Sequence, residues 1–283
     1  LKNNEKDHFN FIKPIYNIIS TGSLNLDSLI RVRSGSIVRI AGRGAELGKT
    51  SESFVLAQNY MDTMPKSKTV FIKAEAKLGP ELMARSGMKF AVEDDGSDWN
   101  YGTVAILSTN IFETVAAFLE DILPKMYAAG EHLCIILDSL DGLILKSDSE
   151  KDLWGGNEQV KVCGVPMLSK ILFRRLAMKI NHYDALMLIT CQYSAEIKLD
   201  PYSKVPARQG DASGGNAVNH QNDITLSYSI RNAGDHIYEY PNLKPDPIKN
   251  KCLGVYATVD IKKSSTDVTG ARVKIPIARG RVG

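Results

Sequence analysis

No run of apolar residues in this chain is long enough to span a bilayer, and the N-terminus "LKNNEKDHFNF" lacks the apolar core of a signal peptide. The expectation is a protein with no membrane partner. Charge of one sign is equally scarce: 35 Lys and Arg against 32 Asp and Glu leave a formal net charge of +3 over 283 residues. That field is too weak to argue for nucleic acid by itself, so any such surface must be local. Cysteine is sparse, with four residues at 134, 163, 191 and 252 and no C-x-x-C spacing. Cys134 and Cys191 lie inside apolar, strand-like runs, which points to buried free thiols in a reducing compartment. The chain also lacks internal repeats and low-complexity tracts.

What is present is an ordinary globular mixture, 43% hydrophobic and 24% charged. The length suffices to bury a large core, as one big α/β domain or two smaller ones. The runs "SIVRIAG", "KTVFIKAE", "YGTVAILS", "HLCIILDS" and "DALMLITCQ" are apolar between polar bounds and read as buried strands. Between them, "TSESFVLAQNYMDTM", "GPELMARSGM", "NIFETVAAFLEDILPKMYAAG" and "VPMLSKILFRRLAMKI" read as helices. "STNIFE" carries a start signal, with Thr109 or Asn110 able to cap and Glu113 in the first turn. Such alternation predicts an α/β fold, a mostly parallel sheet covered on both faces. After Asp223 the texture turns β-rich in "ITLSYSIRN", "HIYEY", "GVYATVDIKKS" and "ARVKIPIARG", predicting a hairpin extension of the same sheet. Long polar stretches fall at about 146–163 and 193–222. Loops of that length in a compact domain are usually functional or disordered.

The segment "IVRIAGRGAELGKTSES", Ile37 to Ser53, places a glycine-rich turn between a strand and a helix. A phosphate cradle of the form G-x-x-x-x-G-K-[ST] needs glycine five places before Gly48, where this chain has Arg43. Glycines flank it at Gly42 and Gly44, and together they can absorb an extra residue, because glycine accepts positive φ. Helix N-terminal N–H groups bind anions, Lys49 adds a point charge toward phosphate, and Thr50 offers a hydroxyl to Mg²⁺. Alone, G-K-T is often no more than a turn into a helix. Three further strand ends add weight. "LCIILDS" ends in Asp138, suited to holding a magnesium ion's water shell, with a helix cap or turn as the plainer alternative. Glu75 follows another strand, where a carboxylate can orient or deprotonate an attacking water. Gln192 ends a third, where an amide can sense a γ-phosphate. All four on one edge are far less expected by chance than any one.

On these residues the chain resembles the RecA/UvsX recombinases over nearly its whole length. "ISTGSLNLD" is similar to the segment before the ATPase core of RecA, and "FIKAEAKLGP" to its catalytic-glutamate segment, with Glu75 on the glutamate. "SGGNAV", Ser213 to Val218, resembles the end of RecA's second DNA-binding loop. "NEKDHFNFIKPIYNI" and "DSLDGL", with the stretch leading to "LFRR", look more like the UvsX recombinases of T-even-type phages. The resemblance implies a RecA-type P-loop ATPase core over residues 31–283, preceded by a leader and protomer-contact segment at 1–30. ATP and Mg²⁺ would be the cofactors. Gly42, Gly44, Gly48, Lys49, Thr50 and Ser51 would hold the phosphates, with Thr50 and Asp138 at the metal and Glu75, Lys49 and Gln192 catalytic. Leu82 stands where the family stacks a tyrosine on adenine. Lys262 and Lys263 of "DIKKSS" stand near the basic pair that reaches ATP across the protomer interface, with Ser264 or Ser265 where a separated second base would fall.

The resemblance also implies a helical filament on single-stranded DNA that pairs with homologous duplex and exchanges strands. Single-strand-binding and mediator proteins are further expected partners, and the expected place is the cytoplasm, of the host if the chain is phage-encoded. Two loops would hold the DNA, at about 147–163 and 193–221, through Lys198, Lys204 and Arg208, with Gly214, Gly215 and Asn216 at the close approach. The chain stops at "ARGRVG" without the C-terminal extension such recombinases usually have, so a trimmed core is expected. The longer turn and the serines after Lys263 fit an alternative, a non-hydrolysing RecA-fold paralogue acting as a recombination accessory. A RecA-fold helicase or clock-type kinase is disfavoured by "SGGNAV".

Overall fold

The computed structural model describes residues 16–42, 47–75, 78–91, 99–150, 164–195, 209–212, 215–229, 232–246, 248–278 and 281–282. It describes no side chains at 164–169, 194–195, 209–212, 215–217, 233 and 281–282. The first elements are β1 (Ile18–Ile19), α1 (Leu24–Asp27), β2 (Val32–Arg33), β3 (Ile37–Gly42) and α2 (Lys49–Thr63). β4 (Ser67–Lys73), α3 (Pro80–Ser86), β5 (Lys89–Phe90), β6 (Thr103–Ser108), α4 (Phe112–Ala128) and β7 (His132–Asp138) follow. Then come α5 (Lys146–Ser149), α6 (Gly164–His182), β8 (Leu186–Ala195), β9 (Gln209–Ala212) and α7 (Gly215–Gln221). β10 (Ile224–Tyr228), β11 (His236–Tyr238), β12 (Cys252–Lys263), β13 (Arg272–Ala278) and β14 (Arg281–Val282) complete the described chain.

Strands β3 to β14 form one sheet in the order β14-β13-β12-β10-β3-β8-β7-β4-β6-β5, with β11 beside β12 and β9 beside β8. From β10 to β5 every neighbouring pair is parallel, whereas β10–β12, β12–β13 and β13–β14 are antiparallel. The molecule is thus α/β, with a mostly parallel sheet and an antiparallel extension, as the apolar runs predict.

Alternation along the strands divides the core. Val38 and Ile40 of β3, Ile136 of β7 and Leu188 of β8 pack with Phe54, Leu56 and Tyr60 of α2. Ile37, Ile135 and Ile189 turn the other way, against Val115 and Leu119 of α4 and Phe173 and Leu176 of α6. Both faces are therefore buried, which is why these strands read as continuous apolar runs. Each such Leu, Ile or Phe contributes about 1.5–3 kcal/mol on leaving water.

Three expectations need correction. The stretch 193–221 is not a loop throughout: β8 continues past Gln192 to Ala195, β9 returns antiparallel with Tyr193 opposite Ala212 and Ala195 opposite Gln209, and α7 follows. Ladder hydrogen bonds come from a pairing partner, so a polar ribbon gives no hydrophobic signal. The stretch 147–163 opens inside the short helix α5, whose Lys146 N–H donates to the Glu113 carboxylate at 2.9 Å. The remainder, 151–163, lies outside the described residues. The described part of the 1–30 leader belongs to the main core: Ile19, Leu26 and Ile30 are buried in the cluster that holds Val38 and Phe54. Asp27 fastens it by accepting the Thr21 N–H and hydroxyl at 2.8 and 2.7 Å and the Ser20 hydroxyl at 2.6 Å.

A smaller difference concerns the start of α4. Ile111 occupies the cap position without a side-chain cap, while Thr109 Oγ1 accepts the Ile111 N–H at 3.2 Å. Cys134 and Cys191 are buried free thiols as expected, and Cys252 is a half-buried one. Among the described residues no helix is long and apolar enough to cross a membrane.

Candidate functional site

Because β10, β3, β8, β7 and β4 run parallel, their C-terminal ends meet at one edge of the sheet. The chain leaves β3 through α2 and returns at β4, having passed over β8 and β7. A crevice at such a crossover is where open α/β sheets bind ligands. Here it is a cavity of about 570 Å³ lined by Gly48, Lys49, Thr50, Ser51, Glu75, Asp138, Ser139, Thr190 and Gln192. Leu47, Phe71, Leu78 and Leu82 give it an apolar side, with Glu81 and Arg85 also on the lining. The volume is within the range of small-molecule sites.

Gly48 starts the site. It precedes α2 at φ +95°, and a Cβ on it would lie 2.1 Å from Ile277 Cδ1 of β13. The positive φ requires glycine, while the tip of Ile277 could move aside. The first turn of α2 lines the cavity, so the positive end of the helix dipole lies there. Lys49 Nζ folds back to the Gly42 carbonyl at 3.4 Å. Gly42, the last residue of β3, pairs in register with Gln192 on one side and Tyr228 on the other. Gly44 lies outside the described residues.

Asp138 closes β7 and is held by two hydroxyls. Thr50 Oγ1 donates to its Oδ2 at 2.8 Å, and Thr190 Oγ1 of β8 donates to its Oδ1 at 2.5 Å. The carboxylate thereby ties α2 to the middle of the sheet. The peptide between Asp138 and Ser139 is cis. Glu75 sits two residues past the end of β4, and Ser139 Oγ donates to its Oε1. Gly142 makes room for that approach, since a Cβ there would come within 2.8 Å of the Ala74 carbonyl and 3.0 Å of Glu75 Cγ. Gln192 is fixed by its backbone N–H, which donates to Asp141 Oδ2 at 2.7 Å, and it lines the cavity beside Thr190.

Beneath the glycine-rich turn lies a second carboxyl. Glu52, in the first turn of α2, is fully buried, and burial pushes its acid up to about 8. The Tyr228 hydroxyl offsets part of that shift and Asp27 adds to it. Neither Glu52 oxygen nor Tyr228 Oη reaches good hydrogen-bonding geometry among the described residues, so burial governs the pair. Burial therefore favours the neutral carboxyl, and Glu52 does not line the cavity.

The fold brings together Gly48, Lys49, Thr50, Ser51, Glu75, Leu82, Asp138 and Gln192 around one cavity. Lys262 and Lys263 lie away from it at the end of β12 and do not line it. Lys262 is exposed. Lys263 Nζ instead donates to carbonyls at the end of α7, those of Asn219 at 2.8 Å, His220 at 3.2 Å and Asn222. Gly215 and Asn216 open α7, whereas Lys198, Lys204, Arg208 and Gly214 fall outside the described residues. Sequence reasoning missed Ser139, Gly142, Thr190 and Asp141. Thr190 left a trace as a polar interruption two places before Gln192 in an apolar run, and Ser139, Asp141 and Gly142 fall within "DSLDGL".

Chemically, the arrangement offers an anion a helix N-terminus and a lysine, and offers a hard cation a hydroxyl and a carboxylate oxygen. It adds a carboxylate base on a third strand end. Neither the protein-family models nor the curated proteins searched match this chain.

Proposed function

We propose that the chain is an ATP-dependent DNA recombinase of the RecA/UvsX type, acting as a filament on single-stranded DNA in homologous pairing and strand exchange. One observation carries the reading. Thr50 and Asp138, from the glycine-turn helix and a neighbouring strand, are joined at 2.8 Å in a cavity that also takes Lys49, Glu75 and Gln192. The residues fit magnesium-bound ATP, because Gly48 leaves no side chain between the α2 N-terminus and Ile277, and Thr50 and Asp138 are hard oxygen donors. When bound, the metal neutralises charge developing on the phosphates.

The protein's own residues supply the rest. Lys49 binds phosphate oxygens as a point charge. Glu75, oriented by Ser139, takes the proton of the attacking water, and Gln192 contacts the terminal phosphate. Leu78 and Leu82 pack on the base. β8 runs from Gln192 into the β8–β9 ribbon, so one strand joins the phosphate contact to the segment carrying Lys198, Lys204 and Arg208. That continuity supports nucleotide-dependent DNA affinity. Phage origin and a host-cytoplasmic location belong to the same reading.

A non-hydrolysing accessory paralogue is the second reading, favoured by the engagement of Lys263 with the end of α7 rather than with the outer surface. Replacing Lys49 by Ala is expected to abolish ATP-dependent DNA binding with an unchanged thermal midpoint, since it removes charge only where phosphate sits. Normal nucleotide binding and turnover by that variant would sink the phosphate-site assignment.

A further inference from the structure

Arg39 is the largest fully buried side chain among the described residues, 1% exposed in the middle of β3. Its neighbours Val38 and Ile40 face the core under α2, and Arg39 turns the other way with Ile37 and Ala41. In register it lies between Thr225 of β10 and Ile189 of β8. An ionised guanidinium there costs free energy that an apolar side chain of similar size would not. Stability alone is therefore a poor account of it.

Its contacts suggest another. Arg39 Nε donates to Cys191 Sγ at 3.1 Å, on the residue immediately before Gln192. Arg39 Nη1 donates to Asn219 Oδ1, on the helix that follows the polar 193–214 segment. Its own strand ends three residues later at Gly42, whose carbonyl receives Lys49. One planar, rigid fork thus touches the glycine-turn strand, the glutamine strand and α7. Lys263 holds the same end of that helix through the carbonyls of Asn219 and His220. α7 can shift against the sheet only by releasing these contacts.

We infer that Arg39 is a positioning residue that couples the cavity to the 193–221 segment, by keeping α7 in register with the strand that presents Gln192. The inference rests on the ATP- and DNA-binding reading above. By linkage, the coupling acts equally on DNA affinity with ATP and on ATP affinity with DNA.

The test replaces both residues of the Arg39–Asn219 contact with apolar ones, Arg39→Met with Asn219→Leu, so that neither side of that hydrogen bond is left buried without its partner. Three quantities are measured on the full chain: the thermal midpoint, the affinity for a fluorescent ATP analogue, and turnover with and without oligo-dT. The midpoint, the ATP affinity and the DNA-free turnover should stay at wild-type values. The oligo-dT stimulation of turnover should be lost. Asn219→Ala, on a half-buried helix position, should reproduce the loss if the double variant does not fold. Wild-type stimulation in either folded variant overturns the inference and leaves the functional reading intact. A wild-type protein that neither binds ATP nor responds to oligo-dT overturns the reading itself.

Discussion

Glu52 and Glu75 are both carboxylates close to the glycine-rich turn, and their surroundings give them opposite characters. Glu75 lines the cavity and accepts the Ser139 hydroxyl. Glu75→Gln keeps the shape and removes the base, so ATP should still bind while turnover falls ~10²–10⁴-fold, the usual worth of general base catalysis. Equilibrium binding and steady-state turnover on the same preparation check this, and lost binding would make Glu75 structural. Glu52 is buried with an acid raised from 4.5 to about 8. For a raised acid the favourable neutral form is fully present below pH 4.5 in both folded and unfolded chains. Above that pH the unfolded chain ionises first. Stability is therefore lost as pH rises toward 8, where the folded form also ionises. Glu52→Gln removes this slope, so the variant should gain thermal midpoint on the wild type between pH 4.5 and about 8 and hold the gain beyond. A constant difference across that window would mean that Glu52 is not a buried neutral acid.

Among the elements, the parallel strands were legible because two-sided burial leaves an uninterrupted apolar run, as in "HLCIILD" of β7. Two strand ends were legible too, since Asp138 and Glu75 are polar residues where such runs stop, whereas β8 runs on past Gln192 to Ala195. The β8–β9 ribbon was not, because its pairing comes from a partner strand distant in the sequence. Ser139 and Gly142 were illegible for a similar reason, since their roles arise only when β7 and β4 lie side by side with Lys73 opposite Asp138. The ribbon leads into the segment with Lys198, Lys204 and Arg208. Charge reversal of all three to Glu should weaken binding to single strands of any sequence. Each lost phosphate contact should remove about 0.7 from the log–log salt slope. DNA-free ATP turnover should be unchanged, and an unaltered slope would move DNA binding elsewhere on the chain.

Across the whole molecule, the antiparallel extension is part of the site rather than an appendage. Ile277 of β13 packs against Gly48, and Tyr228 of β10 lies beside Gly42 and Gly48. The extension thus backs the glycine-rich turn from the side opposite β8, while residues 16–30 pack beneath α2 in the same core. A sheet that continues past its cleft in this way fixes the spacing of β3, β8, β7 and β4, whose C-terminal ends meet at the cavity. The central claim is that these ends form a DNA-responsive ATPase, and steady-state ATP turnover with Mg²⁺, in the presence and absence of oligo-dT, tests it most directly. The account predicts measurable turnover that rises when the single strand is added. Turnover that is absent, or indifferent to the single strand, would contradict it.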